Sequence, residues 1–162
     1  MVDAPSLPAG NLQAKGLLHV VGAAILDGAG RCLVARRAAH VPHPGCWEFP
    51  GGKVEAGEDP RRALEREIAE ELQLAIDAGD FLGRGEVTLP DGRAIVLDVY
   101  LARLADGAGP PRLADHDQLR WLAAPAEIAA LAFAPADLPI LPALAALLAG
   151  RGATLSGPGS RC

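Results

Sequence analysis

The residues of this chain best suited to chemistry lie in one segment, Gly51–Leu74, which reads GGKVEAGEDPRRALEREIAEELQL. Its second half has helical spacing over Pro60–Leu74, with Asp59 at the N-cap and Pro60 at the first helical position. At about 100° per residue, Glu67, Glu70 and Glu71 fall within an arc of about 100°. Leu64, Ile68, Leu72 and Ala75 form an apolar stripe whose mean direction is only about 100° away from theirs. A solvated acidic face would sit opposite that stripe. This one sits at the edge of the core, where three carboxylates raise one another's pKa unless a cation lies between them. Hard divalent cations take oxygen ligands, and magnesium suits a few carboxylates together with substrate phosphates. A second reading stands beside the first: a charged helix laced by Arg62, Arg66 and Glu70 at four-residue spacing. The flanking residues favour the metal. Gly51 and Gly52 permit close backbone approach to a ligand. Lys53 is a compact positive charge suited to phosphate, and Glu58 adds a carboxylate just before the helix.

The elements that must position these residues alternate between strand and helix patterns. Leu17–Leu26 and Arg31–Arg37 read as strands joined by a hairpin turn at Asp27-Gly28-Ala29-Gly30. Pro42–Gly52 reads as a loop with a short extended piece at Trp47–Phe49. Leu82–Leu89 and Ala94–Leu104 form a second hairpin across Pro90-Asp91-Gly92, and Leu119–Leu122 is a short strand. Pro125–Leu131 and Leu138–Ala149 read as helices, the latter with Asp137 where its N-cap belongs. Residues 1–16 read as a flexible leader, 17–149 as one α/β domain, and 150–162 as a disordered tail.

Composition narrows the function classes. The chain has 162 residues, one domain's worth, and is 50% hydrophobic and 22% charged, which excludes wholesale disorder. Its net charge of −5, with no stripe of basic and aromatic residues, argues against duplex nucleic acid as a partner. Cys32, Cys46 and Cys162 have neither disulfide-framework nor zinc spacing, so reduced thiols and a cytoplasmic location are expected. Residues 1–16 lack the apolar core of a signal peptide. The apolar stretch Ile128–Ala149 carries Pro135, Asp137, Pro139 and Pro142, which argues for a buried terminal helix and against a membrane span.

The spacing of the central segment resembles the Nudix box, G-x5-E-x7-R-E-U-x-E-E-x-G-U with U a bulky aliphatic. Gly52, Glu58, Arg66-Glu67-Ile68, Glu70-Glu71 and Leu74 match it; Gln73 stands where the family has its second glycine. That departure puts the helix C-terminus in question, because glycine there eases a left-handed ending. Cys46–Glu58, Leu33–Arg37, His116–Leu122 and Phe133–Leu141 are similar to the MutT-like branch of the family, so the likeness covers roughly Leu17–Leu148.

The resemblance implies an α/β/α sandwich with a central mixed β-sheet and a loop-helix-loop catalytic box. It implies that Glu67, Glu70, Glu71 and the Gly51 carbonyl bind magnesium, with manganese as a substitute. Arg66 would orient Glu67 or simply pair with Glu70, and Asp115 would act as ligand or base, with Asp117 as the fallback. Arg37 and Lys53 would hold phosphate oxygens, although Arg37 also reads as a strand-end surface charge. Phe49 would line a base pocket or pack in the core. Asp137 would read the base, cap the last helix, or both. Glu48 would assist metal or base binding. His40 and His43, in the loop before Trp47, could close over a substrate or simply be exposed loop histidines; His19 and His116 read as structural, and Trp47 and Trp121 as core.

The implied reaction is hydrolysis of a nucleoside triphosphate to monophosphate and pyrophosphate. Cytidine-type nucleotides or oxidised ones such as 8-oxo-dGTP are the expected substrates, for a monomer or weak homodimer. A Nudix hydrolase of ADP-ribose or a dinucleotide is a second possibility. A non-catalytic nucleotide- or protein-binding Nudix module is a third, disfavoured because all three carboxylates are present.

Overall fold

The computed structural model describes residues 1–8 and 16–156, with 151–156 by backbone alone. Strand β1 (Leu17–Leu26) is the axis of the fold. Its alternating side chains feed two cores: Val21, Ala23 and Ile25 face one side, Ala24 and Leu26 the other. The remaining strands are β2 (Cys32–Arg37), β3 (Trp47–Glu48), β4 (Gly51–Lys53), β5 (Ile76–Thr88), β6 (Ala94–Leu104) and β7 (His116–Leu122). They form one mixed sheet of seven strands, ordered β3-β2-β1-β6-β5, with β4 also on β1 and β7 also on β2. The β1–β6 pair is parallel and the other pairs are antiparallel.

Helix α1 (Pro60–Leu72) covers one face through Ala63, Leu64, Ile68 and Leu72, all fully buried. The opposite face is covered by α2 (Pro125–Ala129), a 3-10 turn (Leu138–Ile140) and α3 (Leu141–Ser156), which bring Ile128, Ile140, Leu144 and Leu148 into the second core. The expected α/β/α sandwich on a mixed sheet is the observed architecture. No helix among the described residues is long and apolar enough to cross a membrane.

Both expected hairpins form. In the first, Asp27 Oδ1 accepts the Ala29 and Arg31 amides while Gly30 takes φ 81°. The second places Gly92 at φ 86°.

Several boundaries differ from expectation, for local reasons. α1 stops at Leu72 because Gln73 adopts the left-handed conformation itself, φ 52° and ψ 35°. The helix therefore ends as the family glycine would end it. β5 begins at Ile76 rather than Leu82, because register shifts at Ala78/Phe81 and Phe81/Gly83 break its alternation. β7 extends back to His116, held by pairing to β2 despite its polar start. β4 begins inside the expected loop and runs one residue past its end; its two glycines carry no strand signal. α2 is shorter than expected. The last helix opens as a 3-10 turn and runs to Ser156, into the expected tail; residues 157–162 and Cys162 with them lie outside the described residues.

Residues 1–8 belong to the expected leader yet are bound to the sheet and to α1. The Phe81 amide donates to Val2 O (2.9 Å), Arg61 donates to Val2 O (2.6 Å) and Asp3 (2.7 Å), and Arg84 donates to Pro5 O (2.7 Å) and Ser6 O (2.8 Å). Residues 9–15 of that leader lie outside the described residues.

Candidate active site

Asp59 starts α1 as expected, its Oδ1 accepting the amides of Arg61 (3.0 Å) and Arg62 (3.2 Å). The helix then runs past β4, the strand that pairs with β1 through Val21↔Gly52 and Gly22↔Gly51. The two glycines answer different needs. A Cβ on Gly51 would lie 1.9 Å from Val21 O; one on Gly52 would lie 2.2 Å from Glu67 Oε2. Close approach at Gly51 is therefore to β1, where a ligand had been expected, and Gly52 makes room for the Glu67 carboxylate.

Arg66 organises the acidic edge. It donates to Glu58 through Nε (2.8 Å) and Nη2 (2.9 Å), to Glu67 through Nη1 (2.8 Å) and to Lys53 O (3.0 Å). Glu70 is its most distant partner at 3.5 Å. The orienting arrangement around Glu67 and the helix-surface pair with Glu70 thus coexist. Glu58 accepts the Glu55 amide as well, and the Arg66 bonds followed by that one push its pKa down to about 2. It is a fixed anchor for Arg66.

Glu71 is different. Burial, with Glu67, Glu48 and Asp115 adding repulsion against the opposing charge of His116, pushes its carboxyl up to about 7. Its Oε2 is buried and has no hydrogen-bond partner. An unmatched carboxylate oxygen among further carboxylates is costly unless a cation completes it. No three His, Cys, Asp or Glu side chains among the described residues stand close enough together to form a ready coordination shell. The donors at hand are nonetheless all oxygens, which fits a hard divalent cation.

Asp115 lies on the approach to β7, about half exposed, hydrogen bonded to exposed His40 at 3.1 Å. The fallback acid, Asp117, is engaged by Arg36 at 2.7 Å. Arg37 is held against Glu48 (Nη1 to Oε2, 2.6 Å) and also donates through Nε to Pro42 O. Lys53 is exposed at the end of β4. His43 is exposed with φ 53°.

His116 was expected to be structural, yet its Nε2 meets Glu48 Oε1 at 2.8 Å, on the Glu71 side of the sheet. Sequence reasoning missed this because a lone histidine at a strand start gives no signal of its own.

Phe49 and Asp137 meet directly. The Phe49 amide donates to Asp137 Oδ1 at 2.9 Å, and both residues are 3% exposed. Phe49 also packs on Phe133, ring centroids 6.5 Å apart. The N-cap expectation for Asp137 is overturned: its backbone is helical and its side chain caps nothing, being turned to Phe49 instead. Trp47 is core; Trp121 is half-buried beneath the Arg31 guanidinium, 5.8 Å from its ring centroid.

The NUDIX domain family matches residues 17–144 of this chain. The chain belongs to the NUDIX family. As a Nudix hydrolase it is 38% identical over 135 residues to the CTP pyrophosphohydrolase of Escherichia coli (strain K12), covering 83% of this chain and 96% of that one. It is 40% identical over 137 residues to the putative 8-oxo-dGTP diphosphatase 2 of Mycobacterium tuberculosis (strain ATCC 25618 / H37Rv), covering 83% and 92%. Among solved structures, the E. coli ORF135 protein superposes with a TM-score of 0.72 at 37% identity, covering 89% of this chain and 99% of that one. Nudix hydrolases generally depend on divalent metal. The buried, unmatched Glu71 oxygen is where that dependence fits this chain.

Proposed function

We propose that this Nudix hydrolase is a cytoplasmic, magnesium-dependent nucleoside triphosphate pyrophosphohydrolase of the MutT-like branch, acting as a monomer or weak homodimer. Its substrates are cytidine-type or oxidised nucleotides, the latter exemplified by 8-oxo-dGTP, and its role is to cleanse the nucleotide pool. The observation that carries this reading is the unmatched Glu71 oxygen beside Glu67, at the end of a lattice anchored by Arg66. The names of the two relatives, similar over nearly their whole lengths, supply the substrate class.

In the reaction, a water oxygen forms a new bond to phosphorus and a bridging P–O bond breaks. Nucleoside monophosphate and pyrophosphate are released. Glu67, Glu70, Glu71 and the Gly51 carbonyl would hold the metal. Magnesium held there would neutralise phosphate charge and lower the pKa of the attacking water. Asp115 accepts the proton of that water, and Arg66 holds Glu67 in register for its task. Arg37 and Lys53 bind phosphate oxygens.

Asp137 and Phe49 form the base subsite. Both lie beside the segment around Phe133, which two backbone bonds tie to Trp47: Trp47 N to Ala132 O (2.8 Å) and Ala134 N to Trp47 O (2.9 Å). Asp137 would accept from an exocyclic amine, or donate when protonated.

The test is incubation with magnesium and CTP, dCTP, 5-methyl-dCTP, dGTP, 8-oxo-dGTP, ATP and ADP-ribose, with monophosphate, pyrophosphate and phosphate resolved separately. Monophosphate plus pyrophosphate from a cytidine or oxidised triphosphate is expected. Turnover of ADP-ribose alone would refute the substrate class. No turnover with magnesium or manganese would refute the activity.

A further inference from the structure

Three side chains from three adjacent strands meet beside Glu71. Arg37 of β2 and His116 of β7 are direct cross-strand partners, next to a register shift in which Asp117 is left over. Glu48 of β3 lies across β2 from His116, paired with Ala35. A bulge of this kind re-aims the side chains next to it, and here Arg37 and His116 converge on one carboxylate. Glu48 Oε2 accepts Arg37 Nη1 at 2.6 Å, and Oε1 lies 2.8 Å from His116 Nε2. An ionised carboxylate only accepts, so Nε2 carries the hydrogen. The His116 side chain is 2% exposed and its Nδ1 has no partner; the Glu48 contact is therefore what fixes the ring. Arg37 Nε is spent on Pro42 O, which leaves Nη2 without a protein acceptor among the described residues.

We propose that His116 and Glu48 are positioning residues for Arg37, holding its guanidinium so that Nη2 faces a phosphate oxygen of the nucleotide. The proposal rests on the assignment of Arg37 to phosphate binding made above. A carboxylate paired with Arg37 alone would follow the flexible arginine and quench it. Tied to a buried imidazole on the neighbouring strand, the carboxylate cannot follow. The arginine loses its rotamer freedom during folding, before the phosphate arrives, so less is lost on binding. A ring donor, a two-handed acceptor and an arginine with one free edge make a preorganised phosphate clamp.

The experiment measures affinity for inorganic pyrophosphate by calorimetry, and KM and kcat for the nucleotide turned over best. The proteins compared are the parent, His116→Leu, His116→Gln, Glu48→Gln, Arg37→Ala and the His116→Leu/Arg37→Ala double variant, each checked for folding by thermal melting. His116→Leu is expected to raise Kd and KM about tenfold and to change kcat less than about threefold, the pattern of lost binding that is not specific to the transition state. His116→Gln keeps an N–H donor at about the reach of Nε2 and should recover most of the loss. Glu48→Gln cannot accept from both partners and should resemble His116→Leu. In the Arg37→Ala background, His116→Leu should cost less than a further factor of about two.

Additive losses, or a Gln variant no better than Leu, would overturn the proposal, as would a parent that binds no pyrophosphate. Should His116→Leu fail to fold, Glu48→Gln and His116→Gln decide the matter against Arg37→Ala. Non-additive weakening of pyrophosphate binding in a protein that hydrolyses no nucleoside triphosphate would keep the clamp and discard the proposed substrate.

Discussion

The carboxylate of Glu67 occupies the space that a side chain on Gly52 would need, with Oε2 only 2.2 Å from where that Cβ would stand. The neighbouring Gly51 is crowded by backbone, its absent Cβ 1.9 Å from Val21 O. Two adjacent glycines thus predict two different failures. In Gly52→Ala the obstacle is a side chain that can swing aside, so the protein should fold with a melting temperature close to the parent's. Displaced by about an ångström, Glu67 should cost roughly a hundredfold in turnover. In Gly51→Ala the carbonyl of β1 cannot yield without breaking the β1–β4 pairing, and a loss of more than about 3 kcal/mol is expected. Thermal melts alongside nucleotide hydrolysis separate the two; a Gly52→Ala enzyme with full activity would show that Glu67 need not stand where it does.

Glu71 is stabilised poorly in the absence of a cation. Burial and the carboxylates of Glu67, Glu48 and Asp115 all resist its charge. Glu71→Gln removes that charge, so the metal-free variant should be more stable than the metal-free parent by about 1 kcal/mol, several degrees in melting temperature. Magnesium should reverse the order. A ligand present at a hundred times its Kd adds about 2.7 kcal/mol to the parent, and the variant should gain far less and lose most turnover. Equal thermal shifts with magnesium in both proteins would remove Glu71 from the metal site.

The acidic helix of Gly51–Leu74 was the most legible part of this chain, and the physical reason is periodicity. Glu67, Glu70 and Glu71 flank an apolar stripe on a single helix, so a wheel alone suggests the core edge; Glu67 and Glu71 lie there, while the Glu70 side chain is 60% exposed. Residues that cooperate across strands were harder to read. Arg37, Glu48 and His116 are far apart in sequence and are brought together by a register shift in the β2–β7 ladder. Asp137 was only partly legible for the same reason. Its position before an apolar helix offered a cap beside the base-reading role, but its side chain serves the Phe49 amide, 88 residues away. The tethering of residues 1–8 depends on Arg61 and Arg84 finding backbone carbonyls, and carbonyls leave no mark in a sequence.

Gln73 carries a backbone conformation that glycine adopts at no steric cost. Its φ of 52° places an L-residue in the left-handed region, at a cost of roughly 1 kcal/mol. Gln73→Gly should relieve that strain, offset in part by the greater freedom of glycine in the unfolded chain. A net gain of about 0.5 kcal/mol in denaturant melts is expected, with unchanged turnover because the carboxylates proposed to hold the metal lie earlier in the helix. Destabilisation would mean that the Gln73 side chain contributes contacts worth more than the strain.

Asp137 makes folding depend on pH in a direction opposite to an ordinary surface aspartate. Burial, with Glu48 adding to it and the Phe49 amide and Arg37 opposing, pushes its pKa up to about 8. An unfolded aspartate titrates near 3.9. Between about pH 4 and about pH 8 the folded protein therefore holds a proton that the unfolded chain has released. Stability is fully present below the unfolded value and falls as pH rises toward the folded one. Glu71 pulls in the same direction up to about 7, so a residual slope remains when Asp137 is replaced. Asp137→Asn keeps an acceptor for the Phe49 amide and cannot ionise. Parent and variant should differ least near pH 4, and the variant's lead should grow with pH. Between pH 5 and pH 8 that lead should increase by at least about 1.4 kcal/mol, the value of one pKa unit. Denaturant melts at both pH values measure this directly, and parallel curves would show that Asp137 is ionised in the folded protein at neutral pH. If the same variant also changes the ranking of the nucleotides it hydrolyses, the protonated carboxyl is acting as a hydrogen-bond donor to the base, a role the asparagine amide repeats only in part.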